Sequence, residues 1–229
     1  AEDGEETRDR FYDFVDGARQ ALARATETFG PGDRVLELGA GDSQTGWDLA
    51  TRGVEVVSID ISPVAVERAR EEARAGGLAT IEFAVMNAEA LEFGDASFDG
   101  VVGSGILHHL DLEAALSEIR RVLRPDGRAV FYEPLGHNPV INAYRARTPG
   151  MRTEDEHPLV RPDFTRARDH FGVVEATMHH CLAIGCALLP RPVSRVLRPV
   201  LDLVDRAMLR LPGLRWMAWI TVMELRAPR

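Results

Sequence analysis

The side chains best equipped for chemistry fall in four places along this 229-residue chain. Glu37-Leu38-Gly39-Ala40-Gly41 sets an acid beside a Gly-x-Gly, Asp60 follows, His108 and His109 stand side by side, and Glu133 and His137 close the set. Glycines after a strand let the main chain bend sharply and let a ligand approach backbone N–H groups. An acid about 20 residues after such a turn is placed to accept hydrogen bonds from two ribose-like hydroxyls, which a carboxylate does at once. Imidazole titrates near neutrality and can take a proton from a reacting atom. The set therefore describes a binding turn with an acid–base group beside it.

The surrounding pattern supplies the elements that must position these residues. Val35 to Leu38 is a short apolar run, read as a buried strand, and a helical pattern resumes through Thr45, Trp47, Leu49 and Ala50. Glu55 to Ile59 predicts a second strand ending at Asp60-Ile61. Ser62 then suits an N-cap, Pro63 the first helical position, and Gly76-Gly77 a helix end. Thr80 to Val85 predicts a third strand leading into Met86-Asn87-Ala88, and Phe98 to Val102 a fourth, followed by Ser104 and the histidine pair. A helix from Asp111 carries Leu116, Ile119 and Val122, stops at an Arg124-Pro125-Asp126-Gly127 turn, and leads into a fifth strand over Arg128–Tyr132. Such alternation predicts a doubly wound α/β sheet with ligands at the strand ends. The third glycine, Gly46, falls too late for a dinucleotide turn, and the chain has no lysine, which excludes a phosphate-binding Gly-Lys-Ser/Thr loop.

The ordered blocks resemble the class I S-adenosylmethionine (SAM)-dependent methyltransferases, and in particular the broad group that contains the ubiquinone/menaquinone methyltransferases. They are Glu37-x-Gly-x-Gly, the strand-end Asp60, Ser97-Phe98-Asp99 with Leu107-His108-His109-Leu110, and Leu123-Arg124-Pro125-Asp126-Gly127, together covering about residues 11–133. The resemblance implies a Rossmann-like sheet of seven strands, order 3-2-1-4-5-7-6, with strand 7 antiparallel. It implies that Glu37, Gly39, Ala40 and Gly41 receive the amino-acid end of SAM and that Asp60 takes the ribose, with Ile61 beside it. Asn87-Ala88 stands where the family usually has Asp-Ala; the amide oxygen still accepts from an adenine amine. Ser104 and His108 complete the expected cofactor residues. An N-terminal helix over residues 8–30 would pack beside the cofactor, with Phe11 and Tyr12 as lid candidates.

Beyond the core of residues 33–133, a segment over 134–170 holds the substrate-side candidates His137, Asn138, Tyr144, Arg152 and His157. Glu154-Asp155-Glu156-His157 is read as a solvated turn, because successive residues cannot all converge on one ion; no metal is expected. Strands are predicted over residues 173–178 and 217–225, with an insertion over 180–215 between them. Its Val193, Val196, Leu197, Val200, Leu201, Val204, Met208 and Leu211 form one helical stripe, opposite Arg195, Arg198, Asp202, Asp205 and Arg206. From Cys181 onward eight arginines meet three acids, net +5 in a chain that is −9 overall, so the rest carries −14. Such a helix suits a membrane surface, a lid over an apolar substrate, a dimer interface, or packing on the sheet with arginines outward.

The acidic balance disfavours nucleic acid as a partner. No apolar leader follows the acidic first residues and no run is long enough to span a bilayer, so a cytoplasmic protein with at most peripheral membrane contact is expected. Cys181 and Cys186 lie in an apolar stretch and read as buried free thiols. The resulting expectation is one methyltransferase unit, monomer or homodimer, that moves a methyl group from SAM to an O, N or C atom of a small apolar metabolite. His109 or His137 is the expected base and Glu133 orients the substrate or the imidazole. A SAM-binding cyclase or decarboxylase, or a non-enzymatic SAM-binding partner, would use the same turn.

Overall fold

The computed structural model describes residues 16–229 except 42, 43, 79, 149 and 151–155. Apolar runs place β1 (Arg34–Leu38), β2 (Glu55–Asp60) and β4 (Phe98–Ser104) at the centre of a seven-stranded sheet, flanked by β3 (Ile81–Val85) and by β5 (Leu123–Pro134), β6 (Phe171–His179) and β7 (Ile220–Pro228). The sheet order is β3-β2-β1-β4-β5-β7-β6, with β7 antiparallel to both neighbours. This is the expected topology. Helices α1 (Asp16–Thr26), α2 (Thr45–Thr51), α3 (Pro63–Ala75) and α4 (Leu112–Val122) cover the faces, and α5 (Pro139–Arg147), α6 (Arg161–His170) and α7 (Arg191–Met208) follow.

Local signals explain the boundaries. Ser62 caps α3 by accepting from Ala65 N–H at 3.3 Å, ahead of Pro63, and Asp111 caps α4 from Ala114 N–H at 3.0 Å. Helix α4 buries Leu112, Ala115, Leu116, Ile119 and Val122 against the sheet, where they join Leu36, Leu38, Phe98, Phe131 and Phe171 in the largest core cluster. Each of the leucine, isoleucine, valine and phenylalanine side chains contributes about 1.5–3 kcal/mol of burial.

The start of β5 differs from the expectation above. Strand β5 begins at Leu123, not Arg128, because Leu123 already pairs with Phe98 and is buried; the Pro-Gly segment forms an irregularity within the strand, not a turn ahead of it. For helix α7 the sequence leaves four dispositions open, and simple packing of the apolar stripe on the sheet is not the one observed. Ser194, Arg198, Asp202 and Asp205 turn toward the protein, while most of the apolar stripe is exposed. The cause is Asp205, whose buried carboxylate accepts the N–H groups of Cys181, Leu182 and Ala183 at 2.8, 2.7 and 3.1 Å. Cys181 and Cys186 are buried free thiols, and burial pushes Cys181 up to about 11.

Candidate active site

Parallel strands align their carboxyl ends. Leu38 is in register with Ile59 and Gly103, Asp60 with Val85, and Ser104 with Tyr132. Gly39, Asp60, Asn87, Ser104 and Glu133 therefore follow one another along a single edge of the sheet, although they are scattered over the sequence.

The glycine turn is built by acids. Gly39 adopts φ +84°, a left-handed conformation in which a side chain would be strained. Its N–H and that of Ala40 donate to the Ile59 carbonyl at 2.8 and 2.9 Å, strapping the turn across the end of β2. Asp60 accepts from Gly41 N–H at 3.2 Å and, through its other oxygen, from Ser62 N–H at 2.9 Å. Each carboxylate oxygen keeps a further lone-pair site, so Asp60 can hold the turn and still accept ligand hydroxyls. Ile61 is 72% exposed beside it and Val85 is also exposed, giving this end of the edge two open apolar side chains. Asn87 is exposed with Ala88 buried behind it, and its Oδ1 accepts from Glu89 N–H at 2.9 Å.

Glu37 lies in the interior. Only 2% exposed, its carboxylate accepts from Gly46 N–H at 2.8 Å and from the Ser58 hydroxyl at 2.6 Å, beneath the turn. It positions the start of α2 against β2. A Cβ on Gly46 would lie 2.3 Å from Glu37 Oε2, which is why glycine stands there. Gly46 falls too late for a dinucleotide turn but pairs with the acid nine residues before it, which is the sequence signal for its role.

Further along the edge, Glu133 is fully buried. One oxygen accepts from Ile106 and Leu107 N–H at 3.0 and 2.8 Å, and the other lies 2.7 Å from His108 Nδ1. With the carboxylate as acceptor, Nδ1 is the donor of this pair and Nε2 is the ring nitrogen turned away from it. The imidazole that Glu133 orients is thus His108, which sits in a short turn (Leu107–His109) over Gly105. His109 is exposed, its ring 4.1 Å from that of His108. Partial desolvation and the neighbouring His108 lower its pKa, against an upward pull from Glu156 and Glu133.

The remaining candidates separate. His137 Nε2 accepts from Arg161 N–H at 3.1 Å, and its ring stands edge-on to Trp216; its lone pair serves the start of α6. Asn138 is buried and its amide is fully engaged. Oδ1 caps α5 through Val140 and Ile141, while Nδ2 donates to the carbonyls of Cys181 and Met217 at 3.1 and 2.8 Å. It latches the two ends of the insertion to the exit of β5, so no amide group remains for a substrate. Tyr144 is half-buried in a cluster with Ile184 and Trp219. His157 donates its backbone N–H to the His108 carbonyl at 2.8 Å and keeps an exposed side chain near His109. Ser104 is exposed at the end of β4. Phe11, Tyr12 and Arg152, with Glu154 and Asp155, lie outside the described residues.

One residue went unnoticed in sequence. His180 directly follows β6 at the same edge, in a left-handed conformation at φ +60°, with a buried Nε2 that has no hydrogen-bond partner among the described residues. It faces Gly17 of α1, where a Cβ would come within 3.8 Å of that nitrogen. Burial pushes His180, like His179 beside it, down to about 4. A His-His pair at a strand end was the available signal, but it was read as the start of the insertion.

Comparison with known proteins agrees with this frame. Residues 36–131 match the model of a methyltransferase domain. An uncharacterized protein of Mycobacterium tuberculosis is 38% identical over 104 residues, 45% of this chain and 38% of its own. Demethylmenaquinone methyltransferase of Beutenbergia cavernae is 43% identical over 104 residues, 45% of this chain and 41% of its own. The chain thus spans about two-fifths of the length of these relatives. Haemonchus contortus phosphoethanolamine N-methyltransferase 2, solved with SAM, superposes over 92% of this chain and 52% of that one, with a TM-score of 0.62 and 17% identity, a likeness of fold. Motif order, sheet order and domain match converge on one part of the chain: residues 36–131 match a methyltransferase domain, set in a sheet of the order that the class I SAM-dependent methyltransferase resemblance implies.

Proposed function

We propose that this protein methylates a small apolar acceptor, quinone-like or lipid-like, using SAM, and that His108 held by Glu133 removes the acceptor's proton. The observation that carries the cofactor reading is Asp60 clamping Gly41 N–H at the strand edge while retaining lone pairs for two hydroxyls. The fit is specific in charge as well as shape. The chain has no lysine, and acids, not bases, surround the turn, which suits a cationic, zwitterionic ligand and not a pyrophosphate. Gly39, Ala40 and Gly41 would take its amino-acid end, Asp60 its ribose, and Ile61 with Asn87-Ala88 its base.

When bound, SAM supplies an electrophilic methyl group, so the protein's task is to align a nucleophile and keep water out. His108 accepts the acceptor's proton at Nε2, while Glu133 holds Nδ1–H and stabilises the imidazolium through the buried 2.7 Å contact. This role moves to His108 because the buried Glu133 carboxylate holds its Nδ1, whereas His137 spends Nε2 on Arg161 N–H. The apolar acceptor class draws on the name of the Beutenbergia relative and on the apolar side chains exposed at this edge.

Titration calorimetry with SAM and S-adenosylhomocysteine tests the reading. Both bind, and Asp60→Ala weakens both on the order of a hundredfold while the circular dichroism spectrum holds, since two charge-assisted hydrogen bonds are lost. Absence of binding by the unmodified protein overturns the assignment.

A further inference from the structure

Helix α7 is amphipathic in the reverse of the usual sense. Its inward face is largely polar, carrying Ser194, Arg198, Asp202 and the buried Asp205, with Leu201 and Met208 half-buried at its border, and its outward face carries Val193, Val196, Leu197, Val200, Leu203 and Val204. Val196 is 73% and Leu203 68% exposed. Slack packing does not account for this orientation: Asp205 fixes it through three backbone N–H groups, and Arg198 reaches Asp202 at 3.7 Å. An isolated exposed leucine is ordinary, but a continuous apolar face on a clamped helix marks a surface meant to be covered.

Charge identifies what covers it. Arg195, Arg206 and Arg210 are exposed and fall at helical spacing along one flank of the apolar face. Both acids of the helix lie on the inward side. The outward half is therefore apolar at its centre and purely cationic at its rim. We propose that α7 lies flat on an anionic lipid bilayer, with the valines and leucines entering the boundary between headgroups and acyl chains and the arginines on lipid phosphates. No helix among the described residues is long and apolar enough to cross a membrane, so this is surface docking. A second copy is a poorer fit. An antiparallel two-fold pairing of this face would bring arginine flank against arginine flank, and in either pairing no outward acid answers them.

The fold gives the docking a direction. The insertion leaves the sheet at His179 and returns at Ile220, which pair with each other, and Ile220 also pairs with Pro134, next to Glu133. Helix α7 thus emerges from the same edge of the sheet as the glycine turn and the His108–Glu133 pair. The docking itself does not depend on the methyl-transfer chemistry.

Flotation of the full chain with phosphatidylglycerol–phosphatidylcholine vesicles and with pure phosphatidylcholine vesicles tests the proposal, with urea midpoints checking the fold of each variant. The protein floats with the anionic vesicles, more weakly as salt rises. Val196→Asp/Leu203→Asp lowers the bound fraction on the order of tenfold, and Arg195→Glu/Arg206→Glu lowers it only where lipid charge is present. No flotation with anionic vesicles overturns the proposal. So does flotation that Val196→Asp/Leu203→Asp leaves unchanged, or a concentration-dependent dimer that this variant breaks without any vesicle binding.

Discussion

At the scale of single residues, the carboxylates separate by what they touch. Asp60 is half-buried and keeps acceptor capacity at the edge, whereas Glu37 and Glu133 are buried and serve other protein groups. Their motif positions made all three look alike. The proposed role of Glu133 gives a test that a purely structural acid would fail. Glu133→Gln keeps an acceptor for Ile106 and Leu107 but offers an N–H to His108 Nδ1, which reverses the tautomer and puts the proton on Nε2. Steady-state assays with an acceptor in hand should show kcat lowered about 10²–10⁴-fold, as in His108→Gln, with the SAM dissociation constant nearly unchanged. His109→Ala and His137→Gln should lower kcat by less than about threefold. A large loss in His109→Ala would return the base to that residue.

At the scale of elements, Asn138 does the most joining. Its amide caps α5 and holds the carbonyls of Cys181 and Met217, so one buried side chain ties both ends of the insertion to β5. Removing it leaves two helix N–H groups and two carbonyls without those partners. Asn138→Ala should cost about 2–4 kcal/mol in urea unfolding. Limited proteolysis should then cut first within residues 180–215, with the 33–133 core surviving longer. Uniform cleavage across the chain would show that the latch is not local.

For the whole molecule, acid stability should be governed in part by the edge histidines. His179 and His180 are pushed to about 4 by burial, with Arg24 adding to the effect at His179, while an unfolded imidazole titrates at 6.5. Between these values the unfolded chain binds more protons, so falling pH favours unfolding. Their contribution is fully present above about 6.5 and is lost as pH drops toward about 4. Urea midpoints measured across this window should fall, and the slope should flatten in His180→Gln, which removes one titrating group. An unchanged slope would assign the acid sensitivity to carboxylates such as Glu118, whose hydrogen bond with Arg121 holds its pKa low.

Much of this protein was legible without coordinates because the decisive signals are local. Alternation of apolar runs with capped helices sets the strands, Ser62-Pro63 and Asp111 start helices through their own side chains, and Gly39 supplies a positive φ at the place a binding turn needs one. With right-handed crossovers, those elements leave little choice about the sheet, and Asp60 follows from its strand end. Partner choice is not local. Which imidazole Glu133 would hold, that His137 would cap α6 and Asn138 would latch the insertion, and which way α7 would face were decided by contacts between residues 20 or more apart in the chain. The periodicity of α7 is the same whichever face is buried; only the carboxylate of Asp205, reaching back to Cys181, determines that the apolar side looks outward.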